Sequence, residues 1–343
     1  MKKVNIKMIC SLVVFVAFLC LLPSVGLAQD CNATVVGYPT IHPSINAAIN
    51  SLGGYASYRT INVTGTCNEN IGINVDKNAI TLDGGGTATI NAFNPQLGTI
   101  RISGKQIVIR GFTITGGIDG IQVLQGATAT IGTSLSPPLP PPPVPPPTYK
   151  NYIHSNHRSG IVLSGGSYAA IVNNEIFDNG LDPVLPVDFP VKGGILVSDN
   201  STAFIGYIGS GDTATSPNII SNNPYGVVVS NSSEGRIVGN TINNNTIDGI
   251  NVLRVSIGII AGNDIYSNGQ NGIFVSQNSG VNLGINTGSA TFDHSNISTA
   301  PNLGKGLKCS IGGYADGILG TLAGAGKRDA TDFTRDCINN LIP

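Results

Sequence analysis

Five copies of the pattern Asn-x-Ile-x-x-Asn constrain the fold of this chain more than any other feature of its sequence. They begin at residues 151, 174, 218, 240 and 263, at intervals of 23, 44, 22 and 23 residues. One segment of Gly and three mostly apolar residues lies between each consecutive pair, so the interval of 44 is one repeat with insertions. A third apolar segment precedes each Asn motif. The Gly segments begin at Gly120, Gly160, Gly194, Gly226, Gly249 and Gly272.

Each repeat therefore contains three short strands separated by turns rich in Gly and Asn. The apolar edge of one repeat can be covered only by another repeat, so the repeats stack into a solenoid. Asn tolerates the left-handed backbone of sharp turns, and its amide both donates and accepts hydrogen bonds. The Leu framework of leucine-rich repeats is missing. The sequence predicts an all-β, right-handed parallel β-helix with three-strand coils of about 22–23 residues, and two structural ladders formed by Asn151, Asn174, Asn218, Asn240 and Asn263 and by Asn156, Asn179, Asn223, Asn245 and Asn268.

Residues 1–28 have the features of a signal peptide. Lys2, Lys3 and Lys7 precede an apolar run of about 15 residues, and Gly26-x-Ala28 supplies small residues at the cleavage point. The alternative is a membrane anchor, but the run is short of the roughly 20 residues that span a bilayer. We expect a secreted protein that is extracellular, periplasmic or at the cell surface, without a membrane span after cleavage.

The repeats set the predicted domain boundaries. The β-helix is expected over 29–290, and a C-terminal capping region over 291–343, where the period is lost. A Pro-rich loop insertion at 136–148 lacks the N–H groups that a sheet needs, so we expect it to project as a polyproline II arm. Further insertions at 180–190 and 206–217 fall in neighbouring coils. Loops on rigid scaffolds often carry function, although neutral drift at tolerant turns accounts for them equally well.

Charge and cysteine content narrow the class of protein. Loss of the signal peptide leaves 15 basic and 19 acidic residues, a net charge of −4, which argues against a nucleic-acid partner.

Four cysteines remain, which indicates two disulfides in an exported chain. Three pairings can be drawn, and we expect Cys31–Cys67 and Cys309–Cys337 because each would staple one end of the body. The spacing of zinc ligands is absent, so we expect no cofactor, with a divalent cation such as calcium as an open alternative.

The N-terminal part of the chain resembles a known superfamily. SINAAINSL (44–52) has Ser at a helix N-cap and apolar residues at helical spacing, and TINVTGTCNENIGINVDKNAITLDGGG (60–86) alternates strands with turns. Together with the Asn and Gly coils up to Gly284, these segments resemble the pectate-lyase-like superfamily of parallel β-helices. The resemblance implies the fold only, since that superfamily includes lyases, hydrolases, esterases, epimerases and noncatalytic proteins. The motifs typical of its pectate lyases, polygalacturonases and pectin esterases are missing.

Alternation predicts which residues of the Gly-marked strands face outward. They are Gln122, Val162, Leu196, Val228, Asn251 and Phe274, and none can ionise. This ladder therefore lacks general acids and bases, and it forms either a stacking surface or a face covered by a loop. Gln122, Asn251 and Phe274 are its candidate ligand-binding residues.

One cluster of ionisable residues remains as a candidate site. His154 and His157 follow the Asn151 strand, with Arg158 beside them, and one coil later Glu175 and Asp178 occupy nearby turn positions. The loop that follows adds further charged residues. These groups could hold a divalent cation or supply a base and an acid for glycan cleavage, although solvated turns carry such charges in most proteins. The loop residues are Asp182, Asp188 and Lys192.

Two functions follow from these observations. The apolar ladder and the missing catalytic motifs favour a noncatalytic protein, structural or glycan-binding, whose partner is an extracellular or cell-wall polysaccharide. The alternative is a carbohydrate-active enzyme, a lyase, hydrolase or epimerase acting on an acidic glycan at His154, His157, Glu175, Asp178 and Lys192. The sequence leaves the oligomeric state open.

Overall fold

The chain winds into stacked coils, each with three short strands, as a computed structural model shows. The structure describes residues 30–53, 58–135, 149–182, 192–209, 214–284, 294–324 and 337–342. The predicted signal peptide (1–28) and the Pro-rich insertion (136–148) lie outside these residues. Nearly all strand pairs are parallel and join one coil to the next. The predicted right-handed parallel β-helix is confirmed.

The coils have three faces, which we name by the residues that mark them. The glycine sheet contains β5 (Ile71–Ile73), β7 (Ile100–Ile102), β9 (Asp119–Leu124), β12 (Ser159–Ser164), β15 (Gly193–Val197), β18 (Tyr225–Val229), β21 (Ile250–Val252), β24 (Ile273–Ser276) and β26 (Leu307–Ser310). The asparagine sheet contains β4 (Thr66–Asn68), β11 (Asn151–His154), β14 (Asn174–Phe177), β17 (Ile219–Ser221), β20 (Thr241–Asn243) and β23 (Asp264–Tyr266). The serine sheet contains β3 (Arg59–Thr64), β10 (Thr128–Gly132), β13 (Tyr168–Val172), β16 (Thr202–Ile205), β19 (Glu234–Val238), β22 (Ile257–Ala261), β25 (Gly280–Leu283), β27 (Tyr314–Ile318) and β28 (Ile338–Ile342). Two long strands run through both the serine and the asparagine sheets, β6 (Ile80–Asn91) and β8 (Ile107–Thr115).

The core consists of apolar side chains stacked in register. In the glycine sheet the inward residues of successive coils are partners across each strand pair, and all are fully buried. Branched side chains suit this arrangement because they pack well on a pleated surface. One such column is Ile121, Ile161, Ile195, Val227, Ile250 and Ile273.

The N-terminal end is closed by a short helix and two antiparallel strands. The helix α1 (Ile45–Ser51) begins at Ser44, whose side chain accepts a hydrogen bond from the Ala47 N–H. Glu69 accepts the N–H groups of the first two helical residues and so caps it further. β1 (Asn32–Val35) pairs antiparallel with β2 (Ile41–His42) and with β3. The sequence predicted this helix correctly.

Disulfides lie near both ends of the described body. Cys31 is bonded to Cys67, and Cys309 to Cys337, with Cα–Cα distances of 4.8 and 5.0 Å. These are the pairs expected from the sequence. Cys31 directly precedes β1 and Cys67 lies on β4, whereas Cys309 lies on β26 and Cys337 directly precedes β28, so each bond restrains one end of the body.

The Asn side chains form two continuous hydrogen-bonded ladders. In every rung after that of Asn151 the side-chain Nδ2 and the backbone N–H of one Asn both donate to the Oδ1 of the Asn in the next coil, as in the pair Asn174 and Asn218 at 2.9 and 3.0 Å. The same Nδ2 also donates to a main-chain carbonyl of the preceding coil, here that of Ile131. Every amide is therefore satisfied although it is buried, as buried polar groups require.

A third ladder of buried serines was not predicted. The backbone N–H of each Ser donates to the Oγ of the Ser in the next coil at 3.0–3.2 Å. It lies at the turn between the glycine and serine sheets. Spacings of 34, 32, 23 and 23 residues repeat those of the Gly markers, which is the signal that could have revealed it. Its members are Ser167, Ser201, Ser233, Ser256 and Ser279.

The Gly markers are required by the close approach of consecutive coils. A Cβ at Gly194 would lie 2.7 Å from the carbonyl oxygen of Gly226 and 2.8 Å from a methyl group of Ile220. At the other marker glycines a Cβ would likewise lie 2.4–2.7 Å from the carbonyl oxygen of a Gly in the next coil. The turn from the asparagine ladder into the glycine sheet therefore has no room for a side chain at this position.

Parallel pairing continues beyond the boundary predicted at residue 290. β26 pairs with β24, and β27 pairs with β25. Asn296 and Asn302 accept from Asn263 and Asn268 and so extend both ladders by one coil. The segment predicted as a capping region thus includes a further coil, and its capping role stays a prediction. The described residues contain no helix with the length and apolarity needed to cross a membrane.

Candidate functional site

The outward ladder of the glycine sheet is longer and more buried than the sequence indicates. Strand pairing places Arg101 before Gln122 and Lys308 after Phe274, so the ladder has a basic residue near each end. Its centre is buried, and the apolar residues there pack with Leu253 and the half-buried Tyr225. The centre is therefore an apolar seam rather than an exposed stacking surface. Its buried members are Val162, Leu196, Val228 and Asn251.

A groove of about 460 Å³ opens beside this seam. Val162 and Leu196 form its apolar floor, and polar side chains line both sides. We call it the Arg158 groove. Its polar residues are Gln122, Arg158, Ser164, Ser198, Asp199, Ser230, Asn231 and Arg254.

On one side of the Arg158 groove, the fully buried carboxylate of Asp119 fixes the neighbouring polar side chains. Asp119 lies at the start of β9 and accepts from Arg158 through both carboxylate oxygens, with Nε–Oδ1 at 2.9 Å. Gln122 Nε2 donates to the same carboxylate at 2.7 Å. Since a guanidinium has five N–H groups, Arg158 keeps donors that are not directed at Asp119. The pair thus positions a rigid, charge-compensated donor at the groove.

The opposite wall consists of stacked two-residue turns in the left-handed region. Asp199 has a φ of 56°, and the first residues of the next two turns, Asn231 and Arg254, have φ values of 54° and 58°. Asp199 accepts hydrogen bonds from Ser164 Oγ at 2.7 Å and from Asn231 Nδ2 at 2.8 Å. These bonds, together with one from Ser198, lower the pKa of the Asp199 carboxyl. Asp199 therefore stays ionised at neutral pH and is a poor general acid.

Part of the predicted ionisable cluster assembles in a second, shallower pocket. His157 Nδ1 lies 2.7 Å from Asp182 Oδ2, and Lys192 Nζ donates to the Asp182 carbonyl at 2.9 Å. Asp178 and Leu181 also line this pocket, which has a volume of about 490 Å³. We call it the His157 pocket.

The other predicted members lie elsewhere. Glu175 forms an ion pair with Lys150 at 2.8 Å. The ring of His154 stacks on Phe177 at 4.8 Å, and its Nδ1 lies 3.0 Å from Ser155 Oγ. Asp188 lies outside the described residues. The predicted cluster is therefore not a single site, because His157 lines the His157 pocket and the adjacent Arg158 lines the Arg158 groove.

The remaining predicted ligand-binding residues lie at the C-terminal end of the ladder. Lys308 Nζ lies 5.5 Å from the ring centre of Phe274. Asn251 Nδ2 donates to Asp248 Oδ2 at 3.3 Å, whereas Asn251 Oδ1 is buried without a hydrogen-bond partner. Burial raises the pKa of the Asp248 carboxyl, although two hydrogen bonds from Asn271 partly offset this effect. A ligand-binding role for Gln122, Asn251 and Phe274 stays a prediction.

Sequence comparison gives a family match over part of the chain. Residues 190–300 match the model of "Periplasmic copper-binding protein (NosD)". Those residues contain the coils from β15 to β25 and the two-residue turns of the Arg158 groove. The chain is a right-handed parallel β-helix repeat protein.

Comparison with solved structures gives a more distant likeness. An alginate lyase from Paenibacillus sp. str. FPU-7 is 15% identical, with a TM-score of 0.33 over 81% of this chain and 93% of that chain. No curated protein matches this β-helix repeat protein in sequence.

The residues of this β-helix repeat protein do not fit a copper site of the kind that the family description names. Copper is held by imidazole, thiolate and thioether ligands. The matched segment contains one His, His294, and no Cys or Met. Among the described residues, the one group with metal-ligand spacing is Cys31, Cys67 and Glu69, and its cysteines form a disulfide. We therefore derive no copper chemistry for this chain.

Proposed function

We propose that this protein works outside the cytoplasm, in the periplasm or beyond, as a noncatalytic β-helix that binds a polysaccharide in the Arg158 groove. The groove supports this proposal by its composition. Apolar side chains form its floor, and hydroxyl, amide and guanidinium groups line its sides. Sugars present both apolar ring faces and hydroxyl groups, and sites for small ligands commonly combine such surfaces.

The proposal that the protein is noncatalytic depends on the hydrogen bonding of the two carboxylates at this groove, Asp119 and Asp199. Asp119 is fully buried and saturated by Arg158 and Gln122. Asp199 is held ionised by three hydrogen bonds. Glycan cleavage by general acid catalysis needs a carboxyl group whose pKa is raised. Asp199 does not meet that requirement, and both Asp119 and Asp199 instead orient neighbouring donors.

Binding of glycans to single-residue variants tests the proposal. Arg254→Gln and Gln122→Ala should each weaken binding about tenfold, since each changes a polar side chain that lines the groove. Arg59→Gln is the control, because it removes one positive charge from an exposed position on the serine sheet. Calorimetric titration with acidic polysaccharides gives the affinities. Absence of binding across the panel, or equal binding by Arg254→Gln and wild type, would refute the proposal.

The His157 pocket supports a second candidate, a carbohydrate-active enzyme acting on an acidic glycan. The contact of 2.7 Å between His157 and Asp182 orients an imidazole that could act as a base, with Asp178 in the same pocket. Release of reducing ends or unsaturated products from acidic polysaccharides would support it if His157→Ala and Asp178→Asn abolish turnover and Glu175→Gln does not. Turnover that survives both changes would exclude this pocket.

A further inference from the structure

A second groove, of about 540 Å³, lies on the outer face of the serine sheet in the N-terminal coils. Its floor follows one outward ladder, in which consecutive strands pair Thr60 with Thr81, Thr81 with Val108, and Val108 with Thr130. A tyrosine stands near each end, Tyr58 in the first coil and Tyr168 in the last. We call it the Tyr58 groove.

The two tyrosines differ in how they are held. Tyr168 is fixed, because its hydroxyl donates to the Ile208 carbonyl at 3.3 Å and its ring meets Phe204 edge to face at 5.4 Å. Tyr58 is 84% exposed and has a φ of 51°. A bulky side chain in the left-handed region is strained, and so exposed a ring gains little burial in return. Ala79 and Gln106 have the same conformation directly before β6 and β8, so Tyr58 is distinguished by its exposed ring, which suits contact with a ligand.

The chemistry of the lining narrows the ligand. Thr and Gln are the polar residues beside the tyrosines, and no charged side chain lines the groove within the described residues. Thr128 Oγ1 accepts from the Gln106 N–H at 2.7 Å, which orients that hydroxyl. A charged ligand would lose water here without gaining an ionic partner. Hydroxyl groups flanked by aromatic rings instead match an uncharged sugar, whose faces are apolar and whose edges hydrogen-bond.

The length of the groove points to a chain of sugars rather than to one. The lining residues come from five successive strands, β3, β6, β8, β10 and β13. At about 4.8 Å per strand they span roughly 19 Å along the axis of the solenoid. We propose that the Tyr58 groove is a second binding site, separate from the Arg158 groove, and that it takes a neutral oligosaccharide.

Titration of the whole exported chain with neutral gluco-, manno-, xylo- and galacto-oligosaccharides of increasing length tests this inference. Because the chain has ten Tyr and no Trp, tyrosine fluorescence reports binding without a label. We expect affinity to rise with oligosaccharide length and to depend little on salt. Tyr58→Ala should weaken binding about tenfold through loss of the stacking ring. Thr81→Val should weaken it by removing a hydroxyl at nearly constant volume.

Two control variants distinguish binding in the Tyr58 groove from binding elsewhere on the protein surface. Tyr152→Ala removes a partly exposed tyrosine from the asparagine sheet and should leave binding unchanged. Arg254→Gln should also leave it unchanged, so failure of the Arg158 groove and failure of this inference are distinguishable. The inference is overturned if no neutral oligosaccharide binds, if Tyr58→Ala binds like wild type while its circular dichroism spectrum is native, or if Arg254→Gln abolishes the signal.

Discussion

Replacing one central ladder residue, Asn218→Ala, should destabilise the protein by about 2–4 kcal/mol. Asn218 is fully buried, and its side chain makes four hydrogen bonds. Asn174 Nδ2 keeps two carbonyl partners after the change, those of Ile131 and Val172. The backbone N–H of Asn174 loses its partner altogether. An orphaned buried donor costs roughly 1–3 kcal/mol, and the other three lost bonds add about 1 kcal/mol together because the groups left behind keep another partner.

Chemical denaturation followed by circular dichroism measures this loss, and for a body of this size it corresponds to a melting temperature lower by about 3–7 °C. Asn62→Ala is the matched control, because Asn62 is an exposed Asn on β3 and its loss should cost under about 0.5 kcal/mol. Since repeat proteins can unfold in parts, hydrogen exchange at the Asn174 amide gives a local measure. That amide should exchange faster in Asn218→Ala than in wild type.

The reasoning assigns the stability to satisfaction of buried groups rather than to side-chain volume. Asn218→Asp keeps an acceptor for the Asn174 N–H but places a carboxylate against the Ile171 carbonyl and Asn240 Oδ1. It should therefore be at least as destabilising as alanine at neutral pH and recover as the carboxyl is protonated. If Asn218→Ala and Asn62→Ala lose the same free energy of unfolding, the ladder does not stabilise the fold in the way described.

Three further predictions concern packing, pH and metal. Gly194→Ala should prevent or strongly impair folding because its Cβ would lie 2.7 Å from a backbone oxygen. Gly72→Ala, with open space around it, should be neutral in expression and melting assays. Equal expression and melting temperature of the two variants would contradict the close approach of the coils. Burial raises the folded-state pKa of Asp248, so its contribution to stability is present below the unfolded value of about 3.9 and is lost as pH rises through the folded pKa. Asp248→Asn should remove this slope while its Oδ1 still accepts from Asn271, and a denaturation series over pH in which the variant keeps the wild-type slope would disprove this reasoning. After exposure to copper and desalting, the purified chain should carry no stoichiometric copper in mass spectrometry. If copper survives this treatment in the wild type and is lost in His294→Ala, the chain does bind the metal.

The sequence predicted the parts of the fold that depend on exact repetition. Two Asn per coil and one marker Gly report a local geometry that every coil shares, so their spacing alone indicates the stacking. The final coil was missed because Asn296 and Asn302 are six residues apart instead of five, and the interval from the previous rung is 33 residues. The hydrogen bonds between successive Asn side chains form despite both changes, since the extra residues lie between the Asn positions.

The candidate sites were harder to predict because they combine residues from different coils. Alternation gave Val162 an outward direction, but packing with Leu196, Val228 and Leu253 buries it. His157 and Arg158 are neighbours in sequence, which suggests one cluster, yet they point to different sites. The segments DGIQV and DGINV place Asp119 and Asp248 before a marker Gly, and this repetition was a usable signal. Asp199 offered none, since only the stacked turns bring Ser164 and Asn231 to it.

The ladders also determine how a protein of this kind can change its length. Each rung bonds only to the rungs beside it, and intervals of 22 to 44 residues fit between Asn residues of the same ladder. Removing a whole interval, for instance the 22 residues from Asn218 to Gly239, would bring Asn174 next to Asn240 with the same bonding groups. The molecule can thus be shortened or extended in steps of about 4.8 Å. Duplication or deletion of single coils could therefore change the length of the protein during evolution without changing its core.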